Sequence, residues 1–224
     1  MDEKPRLQAK LKHDLRSPYS TLMGVIAALQ DEPDMDREDQ AEFLQILERE
    51  TQTCLSLSDD LYTLHQNVIR SNSQQPTGAV AIGEVVKNLT ENEVPKRPHY
   101  PGLEVTIKTE SPNATLPGDI ALWTLISVKL IDHAISHANE NTSIQLSLAE
   151  NSIELLQTNT QLSTHELEAL TQQLPQRAKR RRYNPYLGMG AYIAFRLAEC
   201  CGLQSTASNE EGSLRIRIFG EIES

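Results

Sequence analysis

The chain has 224 residues, enough for one large or two small domains with real cores, and a formal net charge of −10. That balance argues against non-specific binding to nucleic acid or to an anionic membrane surface. Hydrophobic residues make up 38% and aromatics only 4%, which points to polar surfaces and aliphatic helix seams. No apolar run nears the roughly 20 residues of a membrane span, and Met1-Asp2-Glu3-Lys4-Pro5 leads into no signal-peptide core, so a cytoplasmic location is expected. Cys200 and Cys201 are adjacent and Cys54 stands apart, which offers neither a disulfide framework nor a CxxC zinc spacing.

Leu7, Leu11, Leu15, Leu22, Ile26 and Leu29 recur at spacings of three, four or seven, so residues 7–29 read as one amphipathic helix. At about 100° per residue, His13 falls roughly opposite the leucine arc, on the solvent side. Lys10, Arg16 and Ser17 lie three or four positions from it and share its face. An imidazole that is half neutral near pH 6.5, flanked by cations, suits a phosphoryl group. His13-Asp14-Leu15-Arg16-Ser17-Pro18 resembles the phosphoacceptor box of two-component histidine kinases. The resemblance implies that His13 carries the phosphoryl group and that Asp14 orients or deprotonates it. It further implies that Lys10 and Arg16 steady phosphate charge, and that Ser17 stands where relatives position water for dephosphorylation.

Asp31-Glu32-Pro33-Asp34-Met35-Asp36 is an acidic turn suited to starting a second helix, which is expected to run to about Arg70. Phe43, Leu47, Cys54, Leu57, Leu61, Leu64 and Val68 fall on heptad a and d positions, with Glu50 the exception. Tyr19, Met23 and Val25 widen the apolar arc of the first helix. One hairpin cannot cover two such stripes, and the economical solution is a homodimer completing a four-helix bundle.

Three segments follow from this reading: a helical hairpin over 1–72, a Pro- and Gly-containing linker over 73–78, and a mixed domain over 79–224. In the last, strands are expected over 79–82, 103–109, 143–149, 152–157, 204–208 and 213–219. Helices are expected over 83–93, from Pro117-Gly118 to Ala138, over 163–174 and over 188–201. The fold class is α+β, a helical hairpin followed by one sheet with helices on one face. This order resembles the Bergerat-type ATP-binding domain of histidine kinases, with Leu130 to His137 similar to its N box and Leu187-Gly188-Met189-Gly190 similar to its second glycine box.

The departures from that pattern concern the nucleotide. Where the resemblance places asparagines that help hold Mg²⁺, this chain has Lys129 and His133, and an ammonium repels a cation that demands oxygen ligands. The aspartate that accepts the adenine amine is replaced by Gln157, and its following glycines by Asn159 and Gln161, of which asparagine alone tolerates a left-handed backbone. At roughly 1–3 kcal/mol per defect, ATP is weakened by at least about 10²- to 10⁴-fold. Gln176 to Tyr183, with five cations in six positions, reads as a solvated loop or as a contact for an acidic protein or phosphate. His133 and His137 are four apart on a helix but lack a third metal ligand. Gly188 and Gly190 are expected as the turn before the last helix.

The expectation is therefore a histidine phosphotransferase of a phosphorelay, passing phosphate between receiver-domain aspartates of response regulators or hybrid kinases through His13. It would need no cofactor of its own, with Mg²⁺ belonging to the partner receiver. The competing readings are a pseudokinase scaffold, a receiver phosphatase acting through Ser17, and an ATP-dependent sensor histidine kinase.

Overall fold

The structure, a computed structural model, describes residues 3–63, 78–97, 102–118, 120–150, 152–172 and 189–220, with side chains from Arg16 onward. Helix α1 (Glu3–Asp31) and helix α2 (Arg37–Thr63) form the expected hairpin. The acidic connection acts as anticipated: the Asp36 carboxylate accepts from the backbone N–H groups of Glu38 and Asp39, 2.9 and 3.0 Å away, and caps α2. Pro18 lies inside α1, where it supplies no N–H to the Asp14 carbonyl four residues earlier. Leu64, Val68 and the helical extension to Arg70 lie outside the described residues, as does the basic run 176–183 with Gly188.

The globule begins with β1 (Ala79–Ala81) and α3 (Ile82–Asn88), which continues through a π turn, Leu89–Glu93, and a 3-10 turn, Val94–Lys96. Then come β2 (Glu104–Thr109), β3 (Thr115–Pro117), α4 (Ile120–His137), β4 (Ser143–Ala149) and β5 (Ser152–Gln157). The chain closes with α5 (Thr164–Thr171), α6 (Gly190–Cys200), β6 (Gln204–Glu210) and β7 (Ser213–Phe219). Five strands form one sheet in the order β2-β4-β5-β7-β6, with β2 and β4 parallel and the other pairs antiparallel. Strand β3 was not anticipated; it is three residues long and pairs only with β1, too short for an alternating pattern. A capping box, Ser163 with Glu166, starts α5.

Period-two alternation sets the core face of the sheet. Leu146, Leu155 and Ile216 lie side by side in register and are fully buried, as are Ile144 and Leu214 on either side of Gln157. Helices α4 and α6 pack together as the layer above. Helix α4 is apolar on most of its circumference and is buried almost continuously from Ile126 to His137. Its Trp123 is fully buried and donates its indole N–H to the Pro117 carbonyl at 2.6 Å.

The hairpin departs from the heptad expectation in one respect. Phe43, Leu47, Cys54 and Leu61 are half-buried, but Leu57 leaves that group, is fully buried, and joins the core of the globule. Glu50, Thr53, Leu57 and Asp60 are the buried residues of α2 and lie within an arc of about 80°. Because a helix presents a new face every 100° or so, this arc is adjacent to the heptad stripe rather than part of it. The globule covers it at Leu57 and Asp60. A third face carries the exposed Leu44, Leu55 and Tyr62, and α1 carries the exposed Tyr19, Met23 and Ile26. Val25, by contrast, is buried.

Leu57 ties the two parts together through burial alone. Leu57→Ala is expected to destabilise the protein by about 3 kcal/mol, read as a lowered urea midpoint, through lost transfer energy and a residual cavity. An unchanged midpoint would mean that α2 does not lean on the globule.

Candidate functional site

The candidate sites are the α1 segment that resembles a phosphoacceptor box and the face of α4 that the sequence aligns with a nucleotide pocket. Position 13 lies in the first half of α1, between Glu3 and Pro18, together with Lys10 and Asp14. The side chains of these three residues lie outside the described set. Arg16 is exposed and Ser17 half-buried, and the Ser17 carbonyl accepts from the Thr21 hydroxyl at 3.1 Å. Both therefore remain available to a partner approaching α1.

On α4, every polar side chain of the aligned box is buried and most are committed to internal partners. Lys129 reaches across to the hairpin, where its ammonium lies 2.5 Å from the Asp60 carboxylate. Asp132 accepts from the Arg97 guanidinium at 3.1 Å, and Arg97 also bonds Glu93, at 3.2 Å to its carboxylate. Burial raises the carboxyl pKa of Asp60 above its ordinary value, more than the neighbouring Lys129 lowers it. Asp132 is raised in the same way, by burial outweighing Arg97 and Lys129.

His133 is fully buried and neither ring nitrogen has a hydrogen-bond partner. Burial, reinforced by the neighbouring His137, holds its pKa well below the usual imidazole range. The two rings lie tilted against each other, 4.3 Å between centroids and 44° between planes. His137 Nδ1 lies 3.0 Å from the His133 carbonyl oxygen and 2.9 Å from the Ser136 hydroxyl. Among the described residues no group of three or more His, Cys, Asp or Glu side chains could hold a metal ion.

Gln157 occupies an inward register position at the end of β5, which is why it is buried. Its amide donates to the Ala134 carbonyl of α4 at 2.8 Å. Asn159 adopts φ +52°, the left-handed conformation for which asparagine is suited, and its amide donates to the Asn141 carbonyl at 2.7 Å. Asn139 in turn donates to the Asn159 carbonyl at 2.7 Å. This turn is closed by its own asparagines.

Gly190 is the first residue of α6 rather than part of a preceding turn. A Cβ there would lie 2.2 Å from the Lys129 carbonyl oxygen and 3.0 Å from the His133 nitrogen. Glycine is needed for close approach of two helix backbones, not for a positive φ. Spacing alone could not distinguish these uses. The residue that sequence reasoning missed is Asp60, whose one signal was an acidic residue three positions after Leu57 on the same face of α2.

Fold and site together define a helical hairpin joined to an α/β globule. Residues 3–67 match the His Kinase A (phospho-acceptor) domain. Among solved structures, the chain is similar to the Acinetobacter baumannii histidine kinase AdeS, with 17% identity, a TM-score of 0.61, and coverage of 95% of this chain and 98% of that one. Histidine kinase ThkA in complex with response regulator protein TrrA matches with 15% identity and a TM-score of 0.65 over 95% of this chain and 60% of that one. Full-length ShkA in complex with AMPPNP matches with 17% identity and a TM-score of 0.57 over 98% and 47% of the two chains. At these identities the likeness speaks to the fold. No curated protein matches the chain. Residues 3–67 are thus similar to a histidine-kinase phospho-acceptor domain, and the chain as a whole shares the fold of histidine kinases. Among the described residues, no helix is long and apolar enough to cross a membrane.

The buried imidazole sets a pH dependence. Because the folded pKa of His133 lies below its ordinary value near 6.5, the unfolded chain binds more protons as pH falls through that window. Its contribution to stability is thus complete above about pH 6.5 and lost as pH falls toward the folded pKa, by at most about 1.4 kcal/mol per pH unit. His133→Leu is expected to lose less stability than the wild type between about pH 6.5 and 5 in urea titrations. Parallel curves for the two proteins would contradict this.

Proposed function

We propose that this protein is a dimeric histidine phosphotransferase of a phosphorelay, moving a phosphoryl group between receiver aspartates through His13 without using ATP. The observation that carries the reading is the Lys129 ammonium bonded to Asp60 at the position aligned with a metal-holding amide. A buried ammonium does not suit a magnesium nucleotide, whose cation needs oxygen ligands. Gln157 supports the same reading: its NH2 group donates to the Ala134 carbonyl, and its buried amide oxygen offers no negative charge to an adenine amine. These residues do not suit Mg²⁺-ATP, and the proposed reaction does not use it.

In the forward step, the neutral His13 imidazole attacks the phosphorus of an aspartyl phosphate on a docked receiver. An N–P bond forms, the P–O bond to the aspartate breaks, and the carboxylate leaves with its electron pair. The remaining ring N–H is held or deprotonated by Asp14, while Lys10 and Arg16 offset phosphate charge. A second receiver reverses the step, its own Mg²⁺ stabilising the transferring group. Ser17 is placed in sequence to orient water, so hydrolysis of a receiver phosphate is the accessory activity.

Exposed Tyr19, Met23 and Ile26 on α1 and Leu44, Leu55 and Tyr62 on α2 support the dimer, because single hairpins seldom leave two such stripes uncovered. The expected outcome is that Met23→Glu with Leu55→Glu shifts the protein from dimer to monomer in light scattering at micromolar concentration. Retention of the wild-type mass would rule out this face.

Transfer is tested with radiolabelled ATP and, separately, with a pre-phosphorylated receiver and Mg²⁺, on wild type and His13→Ala. Acid-labile label arriving from the receiver alone, and absent in His13→Ala, is the expected result. Label arriving from ATP would identify an autokinase instead, and no label from either source a scaffold.

A further inference from the structure

Lys129 and Asp60 are 69 positions apart in sequence, one in the globule and one in the hairpin, yet their charged atoms lie 2.5 Å apart and both residues are buried. Such a pair is a poor adhesive. Removing two charges from water costs several kcal/mol each, and a matched apolar pair often holds an interface better. The raised pKa of Asp60 agrees, since burial there outweighs the attraction of Lys129. Leu57, one turn earlier on the same face of α2, already supplies the apolar contact with the globule.

What a buried ion pair adds is orientation. Leu57 would tolerate sliding or rotation of the globule along α2, but any such movement strands two charges without partners. The charges continue beyond the pair, because Asp132 lies one turn on from Lys129 along α4 and is bound by Arg97, which is bound by Glu93. One relative placement satisfies the set.

That placement has a definite level along the hairpin. Helices α1 and α2 are joined by residues 32–36 and run antiparallel, so Asp60 stands across from about residue 8 and Leu57 from about residue 11, at 1.5 Å per residue. The globule is therefore anchored within about 8 Å, along the helix axis, of position 13.

We infer that Asp60 and Lys129 are a positioning pair that holds the globule on α2 beside the phosphoacceptor segment, so that an incoming receiver meets hairpin and globule as one preformed surface. The inference rests on the proposed transfer reaction. Neither residue touches the reacting atoms; the pair acts by keeping the binding-competent arrangement fully populated, which spares the receiver the cost of selecting it.

The test uses the full chain with Asp60→Lys, Lys129→Asp and the paired exchange D60K/K129D. Each single reversal is expected to enlarge the radius of gyration in small-angle scattering. Each is also expected to raise KM for the phosphorylated receiver by about tenfold, the effect of cutting the competent fraction to about a tenth, with kcat held within about twofold. The paired exchange is expected to return both quantities toward wild type. Should either reversal fail to fold by circular dichroism, Asp60→Asn and Lys129→Met serve in its place with the same expectations. Single variants that fold but leave the radius of gyration and KM unchanged would overturn the inference. So would an exchange variant that folds yet remains as defective as the singles. If the wild type itself accepts no phosphate from a receiver, the transfer reading fails, and scattering together with receiver binding by calorimetry still decides the pair.

Discussion

A helix buried on nearly all sides must find internal partners for the polar side chains it carries, and α4 finds them for Lys129, Asp132, Ser136 and His137. Lys129, Asp132, His133, Ser136 and His137 all lie below the surface. In water their polar groups would be solvated at no expense. Inside the globule each one left alone costs of the order of 1–3 kcal/mol, more if charged. The solution uses the rest of the molecule: Asp60 of the hairpin for Lys129, Arg97 for Asp132, and the carbonyl of the preceding turn for His137. His133 alone of these is left without a hydrogen-bond partner, tilted against the His137 ring, and burial holds its pKa well below the usual imidazole range. The packing of α2 on the globule and the chemistry of the aligned pocket thus have one origin.

The same constraint links the two halves of the proposed function. A magnesium nucleotide would bring several negative charges and a divalent cation to this face, and the side chains there are arranged for each other instead. Gly190 adds to this by allowing α6 to approach the Lys129–His133 turn of α4 at a distance that excludes even a methyl group. The hairpin, by contrast, keeps the features its proposed role requires: Arg16 exposed, Ser17 half-buried, and an apolar surface left for a second copy. In the proposed relay the globule is a brace with a fixed seat on α2. Receiver specificity would then be shared between α1 and the adjoining edge of the globule.

Most of the architecture was legible in the sequence because it follows local rules. The leucine spacing of α1, the alternation of β4, β5 and β7, and the acidic cap of α2 each depend on residues within a few positions of one another. Asn159 illustrates how fine such reading can be: only a residue tolerant of positive φ fits that turn, and the backbone is at +52°. Strand β3 was not legible, because three residues carry no period and its pairing with β1 is decided at a distance. Leu57 was assigned to the heptad stripe because its register fits, although its burial comes from the globule.

By itself, the sequence determined the resemblance of the segment around His13 to a phosphoacceptor box, the order of the elements, and the departures from the resembled nucleotide pattern at Lys129, His133 and Gln157. These are statements about which residue types stand where, and helical or strand periodicity is enough to place them. Only the tertiary structure decided what the replacements do. Whether Lys129 points to solvent or to a buried carboxylate depends on α2 lying against α4, a contact between segments 69 residues apart that no local pattern encodes. The physical reason is that the energy of a charge is set by its surroundings, and those are assembled from distant parts of the chain only on folding.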